Sequence, residues 1–132
     1  MVQLDCWLPE KEMFGVFQVD SVQFNGGTLC VVVSNEVFQF TIRFQSGLKA
    51  YLVRASSLLR DRFSDLQESC KILMRGNTFF KLRGDPTFSG LMTEGDTHFA
   101  VVSSNYMVDI LASENPAVSL DMAPCRRSGG AL

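Results

Sequence analysis

The segment from Val37 to Phe44 alternates between apolar and polar side chains, and this alternation is the strongest constraint on the fold. Successive side chains of a β-strand point to opposite faces, so the pattern predicts a strand with one face in the core. The chain contains eleven Phe residues, which also favours a β-rich interior. The residues expected on the buried face are Phe38, Phe40, Ile42 and Phe44.

Short apolar segments separated by turn-forming residues continue this pattern through most of the chain. Asn25-Gly26-Gly27 predicts a hairpin, because Asn-Gly favours positive φ at both central positions of a type I′ turn. The first strand of that hairpin breaks its alternation near Asp20-Ser21, which indicates a bulge. The predicted strands are 13–24, 28–33, 37–44, 49–54, 77–83, 87–92, 97–102 and 117–122, while 106–112 fits a strand or a short helix.

One segment has helical periodicity instead. Its apolar residues recur at spacings of three and four, which predicts a single helix over about 57–74. Ser56 or Ser57 is expected to cap the helix, and Gly76 lies where a helix commonly ends. The apolar stripe consists of Ala55, Leu59, Phe63, Leu66, Cys70 and Leu73.

One central helix among many short strands predicts an α+β fold that is mostly antiparallel β. Consecutive strands joined by short turns are expected to be antiparallel neighbours. The order fits a small curled sheet or an OB-like barrel, and a PH-like barrel or a simple helix-on-sheet fold fits almost as well. We expect one globular domain over 1–122 and a flexible tail over 123–132, which is rich in small and polar residues.

The cysteines favour a reducing compartment. Cys6, Cys30, Cys70 and Cys125 form no C-x-x-C pair, and His98 is the only histidine, so no zinc site or other cofactor is expected. With no apolar segment of membrane-spanning length and no secretory pattern, the sequence predicts a cytoplasmic protein, or a nuclear one, with reduced thiols.

The twelve Lys and Arg residues are distributed unevenly. Nine lie between positions 43 and 83, where only three acidic residues occur, so this basic window has a net charge of +6. The segments before and after it each carry −4, which gives −2 for the whole chain. Such segregation predicts a local positive patch, although the same residues also fit an ordinary solvated surface.

The strand predicted over 77–83 would place Phe79, Lys81 and Arg83 on its outer face. An aromatic ring among cations on an exposed sheet face is typical of single-stranded nucleic-acid binding, because the ring stacks on a base while the cations follow the phosphates. The candidate site for single-stranded DNA or RNA therefore comprises Arg43, Lys49, Tyr51, Phe79, Lys81 and Arg83.

No pattern of catalytic residues accompanies this surface. His98 has no evident nucleophile beside it, and turn chemistry explains acidic residues such as Asp85. The sequence therefore predicts a non-catalytic binding module. The alternative to nucleic-acid binding is a protein–protein interaction module, such as an inhibitor, an immunity protein or a viral or phage accessory factor. An unpaired edge strand could also pair two copies into a homodimer.

Overall fold

The computed structural model describes residues 2–58, 62–64 and 66–122, and its framework consists of antiparallel strands. The α-helix within these residues, α1, covers Glu68–Gly76. The strands are β1 (Gln3–Cys6), β2 (Gln18–Asn25), β3 (Thr28–Ser34), β4 (Phe38–Phe44), β5 (Leu48–Ala55), β6 (Phe79–Arg83), β7 (Thr97–Val102), β8 (Tyr106–Ala112) and β9 (Ala117–Met122).

The strands form two sheets. One has the order β1-β6-β7-β8-β5 and the other the order β2-β3-β4-β9, and all neighbours are antiparallel. The predicted α+β class, mostly antiparallel β with one helix, is confirmed. The OB-like barrel is not the shape found, because the chain changes sheets after β4 at Gly47 and β5 pairs with β8 instead.

The two sheets pack face to face through an aromatic core. Phe17 leads into β2 and lies 5.5 Å from the rings of both Phe40 and Phe79, which belong to opposite sheets. Phe44 and Phe99 make a similar contact across the layer, with ring centroids 5.4 Å apart. Edge-to-face pairs of this kind add to the stabilisation that burial itself provides. The alternating stripe of β4 is therefore core, as its sequence predicts.

A second apolar cluster covers the outer face of the five-stranded sheet. Phe63 and Leu66 are buried there, and Cys70 and Met74 of α1 pack against the same cluster. The predicted helix is present, but its bounds are not the expected 57–74. Leu66 and Gln67 are not helical. The backbone of Gln67 is extended, and α1 begins at the next residue, Glu68. Residues 59–61 and 65 of the predicted helix lie outside the described residues.

The hairpin and the bulge fall where the sequence places them. β2 and β3 pair in register from Asn25–Thr28 to Gln18–Ser34, with one register shift between Val19 and Ser21. Gly26 and Gly27 have φ of 59° and 83°, so these two glycines, rather than Asn25 and Gly26, occupy the positive-φ positions.

Three local expectations needed correction or completion. The strand predicted over 87–92 is absent, since Asp85 caps a short 3₁₀ helix at Pro86–Phe88 by accepting a hydrogen bond from Thr87 N. The ambiguous segment 106–112 is strand β8, and β1 was not anticipated. The predicted tail, 123–132, lies outside the described residues.

Neither a membrane span nor a disulfide occurs in the part of the chain that the structure describes. No helix there is long and apolar enough to cross a membrane. Cys6, Cys30 and Cys70 are free thiols, and burial together with the charge of Asp5 raises the pKa of Cys6. Cys125 is not among the described residues.

Candidate functional site

The six residues predicted to bind nucleic acid do not form one surface. Arg43 lies on β4 in the four-stranded sheet, whereas Lys49 and Tyr51 lie on β5 at one edge of the other sheet. The remaining three residues lie on β6, and β7 and β8 separate that strand from β5. The sheet order therefore divides the candidate site into three places.

Phe79 lies on the opposite face of β6 from the one predicted. Its side chain is 0% exposed and packs between the sheets against Phe17, Phe40 and Trp7. The prediction that its ring stacks on a base is therefore wrong, because no face of the ring reaches solvent. At this end of β6 both faces are covered, Phe79 by the aromatic core and Phe80 by the second cluster.

The cations of the predicted site already have partners inside the protein. Lys49 Nζ lies 2.7 Å from Asp96 Oδ2, and Arg83 Nη2 lies 3.2 Å from Asp5 Oδ2. The other two make weaker contacts: Arg43 donates to a serine hydroxyl on β9, and Lys81 Nζ lies 5.7 Å from the ring centroid of Phe99. Acidic residues from outside the basic window thus form ion pairs with two of the four cations of the predicted site.

A buried ionic cluster accounts for two further cations of the basic window. Asp109, on β8, is fully buried on the outer face of the five-stranded sheet. Arg62 binds it through both Nη atoms, at 2.6 and 2.7 Å, and Arg54 Nη2 lies 2.7 Å from Oδ2. His98 Nε2 completes the set at 2.6 Å from Oδ1. Arg62 Nε also donates to Asp85 Oδ2 at 3.0 Å, so two arginines face two aspartates.

This cluster keeps its carboxylates ionised. Burial by itself would raise the pKa of Asp109, but hydrogen bonds from His98 and Arg62 and the charge of Arg62 lower it well below its usual value. For Asp85 as well, hydrogen bonds from Arg62 and Thr87 outweigh burial, so its pKa is lowered. The same contacts raise the pKa of Arg62. A carboxylate in this state is a weak base, and the donors already occupy both of its oxygens.

The cluster joins three separate parts of the chain. Arg62 follows β5 in sequence, Asp85 starts the 3₁₀ helix after β6, and Asp109 lies on β8. Phe88 covers the group, with its ring centroid 4.9 Å from that of His98. We interpret the cluster as structural, because it holds the segment after β5 and the segment after β6 against the sheet. Sequence analysis explained Asp85 by turn chemistry alone and missed this role. The one available signal was Asp109 within an otherwise apolar strand.

Strand β5 offers a different kind of site. It is the last strand of its sheet, and its outer edge has no strand partner among the described residues. Three consecutive apolar side chains on it are exposed: Tyr51 by 39%, Leu52 by 40% and Val53 by 39%. A long edge with exposed backbone and apolar side chains is a template for pairing with another strand.

An apolar groove lies along the inner side of this edge. β2, the edge strand of the other sheet, faces β5 there, and the Phe24 and Tyr51 ring centroids are 5.6 Å apart. The groove has a volume of about 470 Å³. Its lining residues are Val19, Asp20, Ser21, Val22, Tyr51, Val53 and Tyr106. The bulge in β2 thus forms one wall, and the exposed aromatic residues of β5 and β8 form the other.

The cations that flank the exposed run are turned away from the edge. Lys49 is held by Asp96, and Arg54 is drawn to Asp109 in the buried cluster. Charged residues on an edge strand normally discourage pairing. In β5 both positive charges form ion pairs within the protein, and the run between them, Ala50-Tyr51-Leu52-Val53, contains no charged side chain. Of the residues in this β5 site, sequence analysis had singled out only Lys49 and Tyr51, and it assigned them to phosphate and base contacts.

The structure contains no arrangement that suggests a metal centre. Within residues 2–58, 62–64 and 66–122, no group of three or more His, Cys, Asp or Glu side chains could hold a metal ion. Comparisons with protein-family models, with curated proteins and with solved structures found no match.

Proposed function

We propose that the protein is a non-catalytic module that binds other polypeptides through the outer edge of β5 and the adjoining groove. The observation that supports this most directly is the uncharged run at positions 50–53, on an edge that has no partner strand in the described part of the chain. The mode of binding is β-strand addition: an extended segment hydrogen-bonds to the edge, and its alternate side chains enter the groove.

The groove favours an apolar ligand segment. Valines and tyrosines form most of its wall, and Asp20 adds an acidic group at the β2 bulge. Aromatic residues are enriched at the centres of protein interfaces, where burying a large ring contributes strongly to binding. An extended peptide with aromatic or branched residues at every second position matches this surface best.

Selection of random displayed peptides against the full-length protein, kept dilute so that the β5 edge is not occupied by another copy, tests the proposal. Peptides recovered in this way should bind the Leu52→Lys variant about tenfold more weakly or worse, since a charge enters the centre of the contact. Leu120→Lys is the matched control, because Leu120 lies on the edge strand β9 and is 38% exposed. Binding that is unaffected by Leu52→Lys would contradict the proposal.

Single-stranded nucleic-acid binding remains the second candidate. It is supported by Lys81 and Arg83 at alternate positions of β6, although Arg83 is paired with Asp5. Fluorescence anisotropy with labelled oligo-dT and oligo-U, first at low and then at physiological salt, tests it. Salt-sensitive binding that is abolished by Lys81→Glu with Arg83→Glu would support this function. Its absence even at low salt would contradict it.

A further inference from the structure

We infer that the polypeptide which pairs with β5 is a second copy of this chain, and that two β5 strands meet antiparallel about a two-fold axis at Leu52. This inference rests on the proposed function, because it names the partner of the same edge. The resulting dimer would contain one continuous sheet of ten strands, five from each copy.

The other edges of the two sheets are less suited to such pairing. β1 has only four residues, including Asp5. β2 contains the register shift at Val19–Ser21, and a bulge twists an edge away from an incoming strand. β9 interrupts its apolar positions with Ser119 and Asp121. β5 has eight residues, its register shift lies at its start, between Leu48 and Ala50, and its ladder is regular from Ala50 to Ala55.

The faces of the strand determine where the axis can lie. Tyr51 and Val53 pair with core-facing residues of β8 and lie on the groove side, while Leu52 pairs with Asp109 on the outer side. In an antiparallel pair, residues directly opposite each other point to the same face of the sheet. A two-fold axis perpendicular to the sheet therefore has to lie midway between the two copies of one residue.

An axis at Leu52 gives the most favourable set of neighbours. Tyr51 then lies opposite Val53 of the partner subunit, which forms an aromatic and β-branched pair on each side of the axis. Leu52 lies opposite Leu52 of the partner subunit, and Arg54 lies opposite the partner's Ala50. Cross-strand pairs of the first kind are stabilising, and no like charges face each other.

The buried ionic cluster also favours self-pairing of β5. Self-pairing of an edge is normally opposed by its own charges, which are repeated in the partner. Arg54 is the only side chain within 50–55 that is charged at neutral pH, and its guanidinium lies 2.7 Å from Asp109. In each copy, therefore, Asp109 of the same copy compensates the positive charge of Arg54 at the interface.

The oligomeric state of the full-length protein tests the inference. Light scattering should give twice the 14.7 kDa of one chain at high concentration. Leu52→Lys places two ammonium groups opposite each other and should weaken dimerisation about tenfold or more. Leu120→Lys should leave the mass unchanged. A monomer at every concentration would overturn the inference.

Disulfide capture locates the axis. Residues opposite each other in an antiparallel pair have Cα atoms about 4.5–5.5 Å apart, which suits a disulfide. Leu52→Cys should therefore cross-link two copies on mild oxidation, and reduction should separate them. The unmodified chain, which retains its own four cysteines, and Leu120→Cys are the controls. Cross-linking of the controls to the same extent would overturn the arrangement.

The two proposals fail in different ways. If the protein is monomeric but loses peptide binding on Leu52→Lys, the dimer is wrong and the β5 site stands. If it is monomeric and Leu52→Lys leaves peptide binding intact, both are wrong.

Discussion

Leu52 on the edge strand β5 is the direct cross-strand neighbour of Asp109 on β8, so an exposed apolar side chain adjoins a fully buried carboxylate. Arg54 links the two features. Asp109 binds the guanidinium of Arg54, two residues along β5 from Leu52, and so compensates the positive charge at the end of the apolar run. The cluster that stabilises the fold thus also shapes the surface that we propose for binding.

Asp109→Asn should reduce the free energy of unfolding by about 3 kcal/mol or more, as is typical when one partner of a buried ion pair is removed. Arg62 would keep Asp85 but lose its two-point contact, and Arg54 would lose its ion pair with Asp109. Urea unfolding measures the difference. Asp121→Asn, on the exposed face of β9, is the control and should change the value by about 0.5 kcal/mol or less. Equal effects of the two substitutions would contradict the role of the cluster.

Acid should weaken the fold through the same cluster. Folding lowers the pKa of both Asp85 and Asp109, so the stabilisation is complete above the ordinary aspartate pKa of about 3.9. It is lost as the pH falls through the lowered folded-state values, since the unfolded chain then binds more protons. Unfolding free energies measured between about pH 7 and pH 3 should decline less steeply for Asp109→Asn than for the unmodified protein. Parallel curves would contradict this prediction.

Gly47 should be required at the turn where the chain passes from one sheet to the other. Its φ is +73°, and a Cβ there would lie 2.4 Å from Ser113 Oγ and 3.0 Å from Glu114 N. Gly47→Ala is therefore expected to cost about 1–2 kcal/mol or more, from backbone strain and from the clash. Gly90→Ala is the control, because a Cβ at Gly90 meets nothing within 4 Å. Thermal unfolding of both variants checks the prediction, and a neutral Gly47→Ala would contradict it.

Phe79 should behave as a core residue and not as a ligand contact. Phe79→Ala is expected to cost about 3–5 kcal/mol, the usual range for truncating a buried phenylalanine. Phe14→Ala, at a side chain that is 67% exposed, should cost about 0.5 kcal/mol or less. Urea unfolding of the two variants compares the loss in unfolding free energy when the same ring is removed from a buried and from an exposed position. A small effect at Phe79 would restore the outward orientation predicted from the sequence.

Local patterns predicted the strands well but not how they assemble. The alternation at Phe38–Phe44, the glycines after Asn25 and the bulge near Asp20 each have a local cause, so the sequence reveals them. Which strands become neighbours is decided by long-range pairing. The β5–β8 and β4–β9 ladders join segments that are far apart in the chain, and no local pattern specifies them.

The helix and the candidate site were misjudged for related reasons. Spacing alone cannot distinguish a continuous helix from separate turns whose apolar residues reach the same cluster, as Phe63, Leu66 and Cys70 do. For β6, alternation predicts two faces but not that Phe79 and Phe80, on opposite faces, are both buried, and so it placed Phe79 outside. The cations of the basic window look unpaired in the sequence because acids such as Asp5, Asp96 and Asp109 lie far from them along the chain.

Backbone amide hydrogen exchange, measured with and without a selected peptide on full-length protein diluted until it is monomeric, tests the central claim most directly. Our account predicts slower exchange across β5 and along the β2 side of the groove when the peptide is bound, because outward-facing amides gain hydrogen-bond acceptors. Exchange in β9, an edge of comparable exposure, should stay the same. Protection of β9 or β6 with β5 unchanged would contradict the claim that the β5 edge is the binding surface.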